Sequence, residues 1–258
     1  MNNKIAVLVL SCDSYKDLWD PFFYFFDKNW ADCSFDKFII TNFEKINKNN
    51  FKSINVHKDF SWSSSLRKGL AQLNDYDYVF LFLEDLMISE KVNNDRILQL
   101  IDRFIKDDGN FLTFVNEPPP DKNYNNFYGL ISPGSLYRPT ATFSLWKKEI
   151  LLELLIDEEN AWEFERKGSV RSDNYPNFFS VYESDFKFIN TVIKGKWVPS
   201  ALKKVKRLGF DIKTGNRKSF KTHQFYLYLI YIYTRNLSMK LIPKKIKRQL
   251  ADFRKYFR

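Results

Sequence analysis

The chain has 258 residues, of which 44% are hydrophobic and 28% charged, so it can bury a core and is not a disordered polymer. Eight Gly and nine Pro exclude collagen-like and Gly/Ser-rich sequences, while two Cys and two His exclude a disulfide framework and a His-rich metal cluster. No apolar run reaches the roughly 20 residues of a membrane-spanning helix. We therefore expect a cytoplasmic protein with reduced thiols that does not cross the membrane.

Strands and helices alternate along the first half of the chain. Apolar runs that suit buried strands occupy residues 5–10, 35–41, 54–57, 78–83 and 111–115. The predicted helices cover residues 16–26, 66–73, which follow a Ser-rich segment of N-cap residues, and 95–105. The first run is too short for the core of a signal peptide. This alternation predicts an α/β fold, with a Rossmann-like, mainly parallel sheet flanked by helices.

Polar residues follow the predicted strands at their carboxyl ends, where such sheets bind their ligands. These residues are Ser11, Asp13, Thr41, Asn42, Glu84 and Asp85. Turn capping by the same side chains is the competing interpretation. The sequence has no Gly-x-Gly-x-x-Gly after the first strand and no Gly-Lys-Ser/Thr loop, and neither His belongs to a Ser-His-Asp or Cys-His motif. The acidic pair Glu84–Asp85 is therefore the main indication of function.

Basic residues are concentrated at the end of the chain. Residues 196–258 contain 18 Lys/Arg and 2 Asp/Glu, a balance of +16, whereas the first 195 residues hold 23 basic and 29 acidic residues, a balance of −6. Such an end is expected to bind a polyanion, which could be nucleic acid, anionic lipid or a phosphorylated substrate.

Aromatic and apolar residues accompany this charge. Residues 225–233 are apolar nearly all round, and after Pro243 a helical stripe runs through Ile246, Leu250, Phe253 and Phe257 among seven Lys and Arg. A basic amphipathic helix with aromatics indicates binding to a membrane surface that carries anionic lipid. A helix docked on the core with a solvated basic face is one alternative. Nucleic-acid binding is another, although no recognised motif accompanies the charge.

Several segments, taken in order, resemble the GT-A glycosyltransferases. Residues 79–85 (VFLFLED) are similar to the strand and DXD-type position of that family, and residues 7–15 (VLVLSCDSY) to its first strand and nucleotide-binding turn. The similarity continues through residues 137–139, 146–149 and 162–165. Together these segments, spread over about residues 4–200, resemble bacterial transferases that assemble surface polysaccharide, either lipopolysaccharide O-antigen or capsule. The chain departs from the family in lacking a full Asp-x-Asp.

The resemblance implies a nucleotide-sugar donor and a divalent cation, Mg²⁺ or Mn²⁺. Asp85 is the predicted metal ligand, and Glu84 assists it or holds the ribose, so that the cation stabilises the leaving diphosphate. A helix N-cap or a surface acidic pair is the alternative. The rest of the predicted donor site stacks on the donor, contacts the hydroxyl groups of its ribose, and brings positive charge to its phosphates at the N-terminus of a helix. Its remaining residues are Ser11, Asp13, Thr41, Asn42, Trp62, Ser63 and Arg67. A Trp packed on the helix and an exposed Arg are the competing interpretation of 62–67.

Transfer with inversion also requires a general base that takes a proton from the acceptor hydroxyl. Residues two apart share a face in a strand but diverge by about 200° in a helix. We therefore predict that one glutamate of residues 162–165 faces the site, Glu165 first and Glu163 in reserve; two solvated acids in a surface loop are the alternative. A saccharide or lipid-linked saccharide acceptor is predicted to contact Tyr137, Arg138 and Trp162.

Two regions are predicted, a GT-A domain over residues 1–222 and a basic, aromatic helical tail over residues 223–258. The basic tail would hold the enzyme at the inner face of the cytoplasmic membrane. His223 is expected to pack rather than to bind a metal, although the family often uses a late His as a ligand. The alternative function is a non-catalytic nucleotide-binding protein, or an adaptor that binds membrane or nucleic acid through the basic tail.

Overall fold

A ten-stranded mixed sheet is the centre of the computed structural model, which describes residues 3–58, 60–215 and 217–240, without the side chains of residues 222 and 235–240. The strands are β1 (Ile5–Leu10), β2 (Asp36–Thr41), β3 (Asn47–Lys48), β4 (Phe51–Asn55), β5 (Tyr78–Leu83), β6 (Leu86–Ile88), β7 (Phe111–Thr113), β8 (Lys122–Asn123), β9 (Tyr128–Leu130), β10 (Ser144–Lys147), β11 (Phe178–Val181), β12 (Phe188–Asn190), β13 (Val192–Ile193) and β14 (Lys196–Trp197). The α-helices are α1 (Trp19–Asn29), α2 (Trp62–Leu70), α3 (Asn94–Lys106), α4 (Lys148–Leu154), α5 (Ala161–Arg171), α6 (Pro199–Arg207) and α7 (Thr222–Lys240).

The strand order of the large sheet is β3-β4-β2-β1-β5-β10-β7-β11-β9-β8. β1 runs parallel to β2 and β5, β2 to β4, and β7 to β11, whereas β10 is antiparallel to both β5 and β7. Because β10 reverses direction between two strands, β5 and β7 point the same way. The carboxyl ends of β1, β2, β4, β5, β7 and β11 therefore meet at one edge of the sheet, called the carboxyl edge below. The predicted mainly parallel α/β sheet is confirmed.

Both faces of the central strands are buried, which explains their continuous apolar sequences. Side chains alternate along a strand, so Val7 and Val9 of β1 belong to one core cluster, and Ala6 and Leu8 to the other. The first cluster includes residues of α1 and α3, and the second includes residues of α2, α4 and α5. Each layer of helices thus covers one face of the sheet.

Phenylalanines of α1 pack into an aromatic cluster against the first face. The ring centroid of Phe26 lies 5.1 Å from that of Phe51 on β4, 5.7 Å from Phe82 on β5 and 5.4 Å from Trp30. Edge-to-face and tilted contacts of this kind add to the free energy of simple burial. Many of the aromatic residues of the chain therefore lie in the core or pack against it.

Some predicted boundaries differ from the structure. The helix predicted from residue 16 starts with a 3₁₀ turn, Asp13–Leu18, before α1, and the strand predicted at 54–57 is β4, a few residues earlier. Asp185 lies in the loop between β11 and β12, where its carboxylate pairs with Arg96 and its N–H donates to the carbonyl oxygen of Phe114.

The end of the chain is described only as far as residue 240. α7 begins at Thr222, and the division into residues 1–222 and 223–258 stays a prediction. The stripe through Ile246, Leu250, Phe253 and Phe257 lies outside the described residues. Of the helices in the described ranges, none combines the length and apolar character needed to cross a membrane. Cys12 and Cys33 are both free thiols.

Replacing Phe26 with Ala should lower the free energy of unfolding by about 3–5 kcal/mol, because a cavity would open among three rings. Phe60, which is 73% exposed, provides the matched control, and Phe60→Ala should change the same quantity by less than about 0.5 kcal/mol. Urea unfolding of both variants measures the difference. Similar losses at the two positions would show that the aromatic cluster is not what stabilises this face.

Candidate functional site

The acidic pair lies at the carboxyl edge, directly after β5. Glu84 is 7% exposed and Asp85 is half-buried. Burial and the neighbouring charge of Asp85 raise the pKa of Glu84 well above its usual range, and burial raises the pKa of Asp85 to about 6. Across the described ranges, no Lys, Arg or His forms an ion pair with either carboxylate. The pair is therefore a desolvated negative site.

Arg217 is the cation that counters this negative charge, since it lowers the pKa of both Glu84 and Asp85. Its Nε and Nη2 donate to the two carboxylate oxygens of Asp17, each at 2.7 Å, and its guanidinium carbon lies 4.4 Å from the ring centroid of Tyr15. Such a two-point pair fixes the plane of the guanidinium. Sequence analysis missed Arg217 because it is one of many basic residues near the end of the chain, and no motif marks it.

A small second sheet holds the backbone of the acidic pair. β6 follows Asp85 immediately and pairs with β12. Thr191, just after β12, donates from both its backbone N and its Oγ1 to the carbonyl oxygen of Asp85, each at 2.9 Å. The position of the pair is thus determined by contacts with a segment about a hundred residues later in the chain.

The residues predicted at the ends of β1 and β2 do meet, but their side chains hold the loops. Asp13 accepts from the N–H groups of Asn42 (2.8 Å) and Phe43 (3.0 Å), and Asn42 Oδ1 accepts from Asp13 N at 2.8 Å. Ser11 Oγ accepts from the Trp19 indole at 2.7 Å, and Thr41 Oγ1 donates to a loop carbonyl oxygen. This geometry agrees with the capping interpretation. A donor role for Ser11, Asp13, Thr41 and Asn42 stays a prediction.

Two rings beside this loop were missed by sequence analysis. Phe43 is 66% exposed, and its ring centroid lies 5.9 Å from that of His57, which follows β4. An exposed aromatic ring at the carboxyl edge offers a surface on which a planar base can stack. Single aromatic residues after strands are too common in this sequence for the position to be marked by any pattern.

The start of α2 is held by structural contacts. Ser61, one of the predicted N-cap residues, accepts from Ser64 N, although the helix begins at Trp62 and not at residue 66, and the ring of Trp62 packs 5.5 Å from that of Phe164. Arg67 was expected to offer its charge to the donor. Instead it pairs with Asp157 at 2.6 Å and donates to the carbonyl oxygens of residues 152 and 155. Ser63 is buried, and its Oγ has no hydrogen-bond partner within the described chain. These contacts agree with the competing interpretation, and a donor contact for Trp62, Ser63 and Arg67 stays a prediction.

The two candidate bases lie on α5 and face different ways. Glu163 occupies the third helical position and closes a capping box with Asn160, so its carboxylate is used by the helix start. Glu165 Oε1 accepts from Thr140 Oγ1 at 2.9 Å and from Ala141 N at 3.3 Å, and burial raises the pKa of its carboxyl group. The loop that it contacts leads into β10, whose Ser144 pairs with Leu81 near the carboxyl end of β5. Of the two, Glu165 is the residue placed towards the carboxyl edge.

The predicted acceptor residues are not alike. Trp162 is 66% exposed on the first turn of α5, and Tyr137 is exposed with a φ of 55°. Arg138, by contrast, is 1% exposed. Its guanidinium donates to the carbonyl oxygens of Ile131, Ser172 and Tyr175 and stacks on Phe178 at 4.0 Å. The donors of Arg138 are used inside the fold, and an acceptor contact for Tyr137, Arg138 and Trp162 stays a prediction.

The residues present fit a divalent cation as a two-carboxylate site. Glu84 and Asp85 have raised pKa values and no ion-pair partner in the described chain. Mg²⁺ or Mn²⁺, which prefers oxygen ligands, would therefore stabilise their charged forms. No described group of three or more His, Cys, Asp or Glu is arranged to hold an ion. Further ligands would therefore be phosphate oxygens and water. His223, expected to pack, is exposed at the start of α7.

Comparison with known proteins identifies the fold. No protein-family model and no curated protein matches the sequence. Among solved structures, the crystal structure of S. aureus TarS 1–349 has a TM-score of 0.52 and 12% identity, over 95% of this chain and 77% of that one. The chain therefore has the GT-A fold of glycosyltransferases, as predicted.

Two further structures lie at lower similarity. One is a mutant of Drosophila galactosyltransferase 7 in complex with manganese, UDP-Gal and xylobiose, with a TM-score of 0.37 and 14% identity over 86% of this chain and 79% of that one. The other is the apo form of the glycosyltransferase GlyE of Streptococcus pneumoniae, with a TM-score of 0.36 and 10% identity over 93% and 52% of the two chains.

The raised carboxylate pKa values predict a specific pH dependence of stability in the absence of metal. Because the folded protein keeps the proton of Asp85 to a higher pH than the unfolded chain, the contribution of that proton is present at low pH and is lost as the pH rises from about 4 to about 6. Asp85→Asn should therefore be more stable relative to wild type at pH 7 than at pH 4. Urea unfolding in EDTA at several pH values tests this, and a constant difference would contradict it.

Proposed function

We propose that this protein is a glycosyltransferase that moves a sugar from a nucleotide-sugar donor to a saccharide or lipid-linked saccharide, in the synthesis of bacterial surface polysaccharide such as O-antigen or capsule. The observation that carries the proposal is the acidic pair. A buried and a half-buried carboxylate lie at the carboxyl edge of a GT-A fold, directly after β5, where Thr191 holds the backbone of Asp85 and the charge of Arg217 lowers the pKa of both carboxyl groups.

The donor side of the reaction requires that a departing diphosphate be neutralised. Asp85, with Glu84 beside it, would hold Mg²⁺ or Mn²⁺, which supplies Lewis-acid stabilisation of the leaving phosphates when bound. Arg217 supplies a fixed positive charge at the same place, already oriented by Asp17, so little reorganisation is needed during the reaction. Phe43 and His57, together with the loop of Ser11, Asp13, Thr41 and Asn42, support a binding place for the base and ribose.

The acceptor side requires a base for its hydroxyl proton. Glu165 suits this task because Oε1 is held by Thr140 and Ala141, while no described residue donates to Oε2. As the acceptor oxygen forms its bond to the anomeric carbon, the bond to the diphosphate breaks and the proton passes to Glu165. Such a single displacement inverts the configuration at the anomeric carbon. Trp162, exposed on the same helix, offers an apolar face to a sugar ring, and Tyr137 a further contact.

Matched substitutions on α5 test the base. Glu165→Gln should lower kcat by about 10²–10⁴-fold, whereas Glu163→Gln, at the capping box, should leave kcat within a few-fold of wild type. Asp85→Asn should abolish turnover.

A thermal-shift measurement with UDP, GDP, dTDP and CMP, each with and without Mn²⁺, identifies the class of nucleotide in the donor. A ligand at 100 times its Kd stabilises the fold by about 2.7 kcal/mol.

The possible outcomes separate the candidate functions. If Glu163→Gln is the damaging variant, the roles of the two glutamates are reversed. Nucleotide binding without turnover on any nucleotide-sugar would indicate a non-catalytic nucleotide-binding protein. No thermal shift with any of the four nucleotides would contradict the transferase proposal and favour an adaptor.

We also propose that the basic tail, residues 223–258, holds the enzyme on the inner face of the cytoplasmic membrane, where a lipid-linked acceptor would be found. The described part of α7 supports this, because Tyr226, Leu227, Ile230, Tyr231 and Tyr233 are exposed on one helix. Large apolar side chains gathered in this way are typical of a surface that binds lipid or another protein.

Ile230→Asp should weaken binding to anionic vesicles by about tenfold or more, since an apolar side chain would be replaced by a charge of the same sign as the lipid. Ile156→Asp makes the same change at an exposed Ile outside the basic tail, and it should bind as wild type does. Cosedimentation with vesicles measures both. Equal binding by the two variants would contradict membrane attachment through α7.

A further inference from the structure

The hairpin formed by β13 and β14 places a lysine where the backbone is unfavourable for it. The two residues of the turn, Lys194 and Gly195, have φ values of 49° and 70°, and the flanking residues Ile193 and Lys196 pair with each other. A two-residue turn with two positive φ values favours Asn, Asp or Gly at its first position. The presence of Lys at this position therefore points to a use for its charge.

The lysines of this hairpin lie against the start of α7. Lys194 Nζ lies 5.7 Å from the ring centroid of Tyr228, and Lys196 Nζ lies 5.4 Å from that of Phe220. The rings of Phe220 and Tyr228 are themselves stacked, with centroids 6.1 Å apart. Cations and aromatic rings therefore alternate across one continuous surface, and Lys194 is exposed on it.

This surface continues into the exposed part of α7. Tyr231 lies three residues after Tyr228, on the same side of the helix, and is exposed, as are Lys218 and Lys221 just before the helix. A polyanion in water, such as nucleic acid, would satisfy the lysines but leave the apolar side chains in contact with water. An anionic bilayer satisfies both, because its headgroups take cations while its outer hydrocarbon takes apolar and aromatic side chains.

We infer that the β13–β14 hairpin and α7 form one docking surface for an anionic lipid bilayer, in which Lys194 binds lipid headgroups. The domain itself, and not the basic tail alone, then contacts the membrane. This inference rests on the membrane attachment proposed above, and adds to it a contact made by the folded domain.

Backbone contacts attach the same surface to the acidic pair. Trp197, the last residue of the hairpin, donates from its N to the carbonyl oxygen of Lys218 at 2.9 Å and accepts from Phe220 N at 3.0 Å. Arg217, beside Lys218, donates to the carbonyl oxygen of Gly195 in the hairpin at 3.5 Å and lowers the pKa of both acidic residues, and the hairpin begins directly after Thr191, which holds Asp85. A bilayer docked on the hairpin would thus lie in a defined orientation to the donor site, as a lipid-linked acceptor requires.

Lys194→Asn tests the inference, because Asn favours this turn while the charge and its contact with Tyr228 are removed. The variant should unfold at an unchanged or higher urea concentration, yet bind vesicles of phosphatidylcholine mixed with phosphatidylglycerol about fivefold more weakly. Lys194→Arg keeps the charge and should bind as wild type does. Lys4→Asn removes the same charge at the amino end of β1, across the sheet from the carboxyl edge, and should also leave binding unchanged.

The full-length chain is used throughout, and cosedimentation requires neither nucleotide nor turnover. Equal binding of wild type and Lys194→Asn would overturn the role of the hairpin. If wild type bound vesicles of phosphatidylcholine alone as well as vesicles that contain phosphatidylglycerol, the requirement for anionic lipid would be overturned. Loss of binding in Lys4→Asn as large as that in Lys194→Asn would show attraction by net charge, and would also overturn the inference. Failure of the glycosyltransferase proposal appears separately, in the nucleotide and turnover measurements.

Discussion

Two neighbouring carboxylates that are buried at the end of β5 are the constraint on which the rest of the structure depends. Desolvation and mutual repulsion disfavour their charged forms, so the fold must supply compensating interactions. Three segments from distant parts of the chain meet there: Asp17 after β1, Thr191 after β12, and Arg217 from the basic end. A protein that needed only stability would place apolar side chains at this position, which is why the pair indicates a ligand with positive charge.

Arg217 gives the segment before α7 a second role besides attraction to polyanions. The high charge of residues 196–258 is a property of composition, but the guanidinium of Arg217 is held in one orientation by Asp17 and lies over Tyr15. Trp197, at the end of the β13–β14 hairpin, makes two backbone hydrogen bonds to Lys218 and Phe220, between Arg217 and the start of α7. The segment that carries Arg217 is therefore attached to the hairpin directly before α7 begins.

Two glutamates and two arginines around α5 show that the position of a side chain in the fold determines its role. Arg138 and Arg67 donate to backbone carbonyl oxygens and to Asp157, so they stabilise loops around α5. Glu163 caps the helix, whereas Glu165, half a turn further on, is buried against Thr140 near the carboxyl edge. The type of a side chain limits the chemistry that it can perform. The contacts of that side chain in the fold decide whether its polar atoms are available for this chemistry.

The sequence by itself determined the α/β class, the central strands β1, β2 and β5, the Ser-rich segment that supplies the cap of α2 and the acidic pair at a strand end. These depend on local patterns, since apolar runs and capping residues act over a few positions. Only the tertiary structure decided that the charge of Arg217 acts on the acidic pair, that Arg138 is internal, that Asp185 lies in a loop, and that the carboxylate of Glu163 is used in a capping box. Each of these depends on contacts between residues far apart in the chain, and no spacing along a single sequence encodes which distant groups meet.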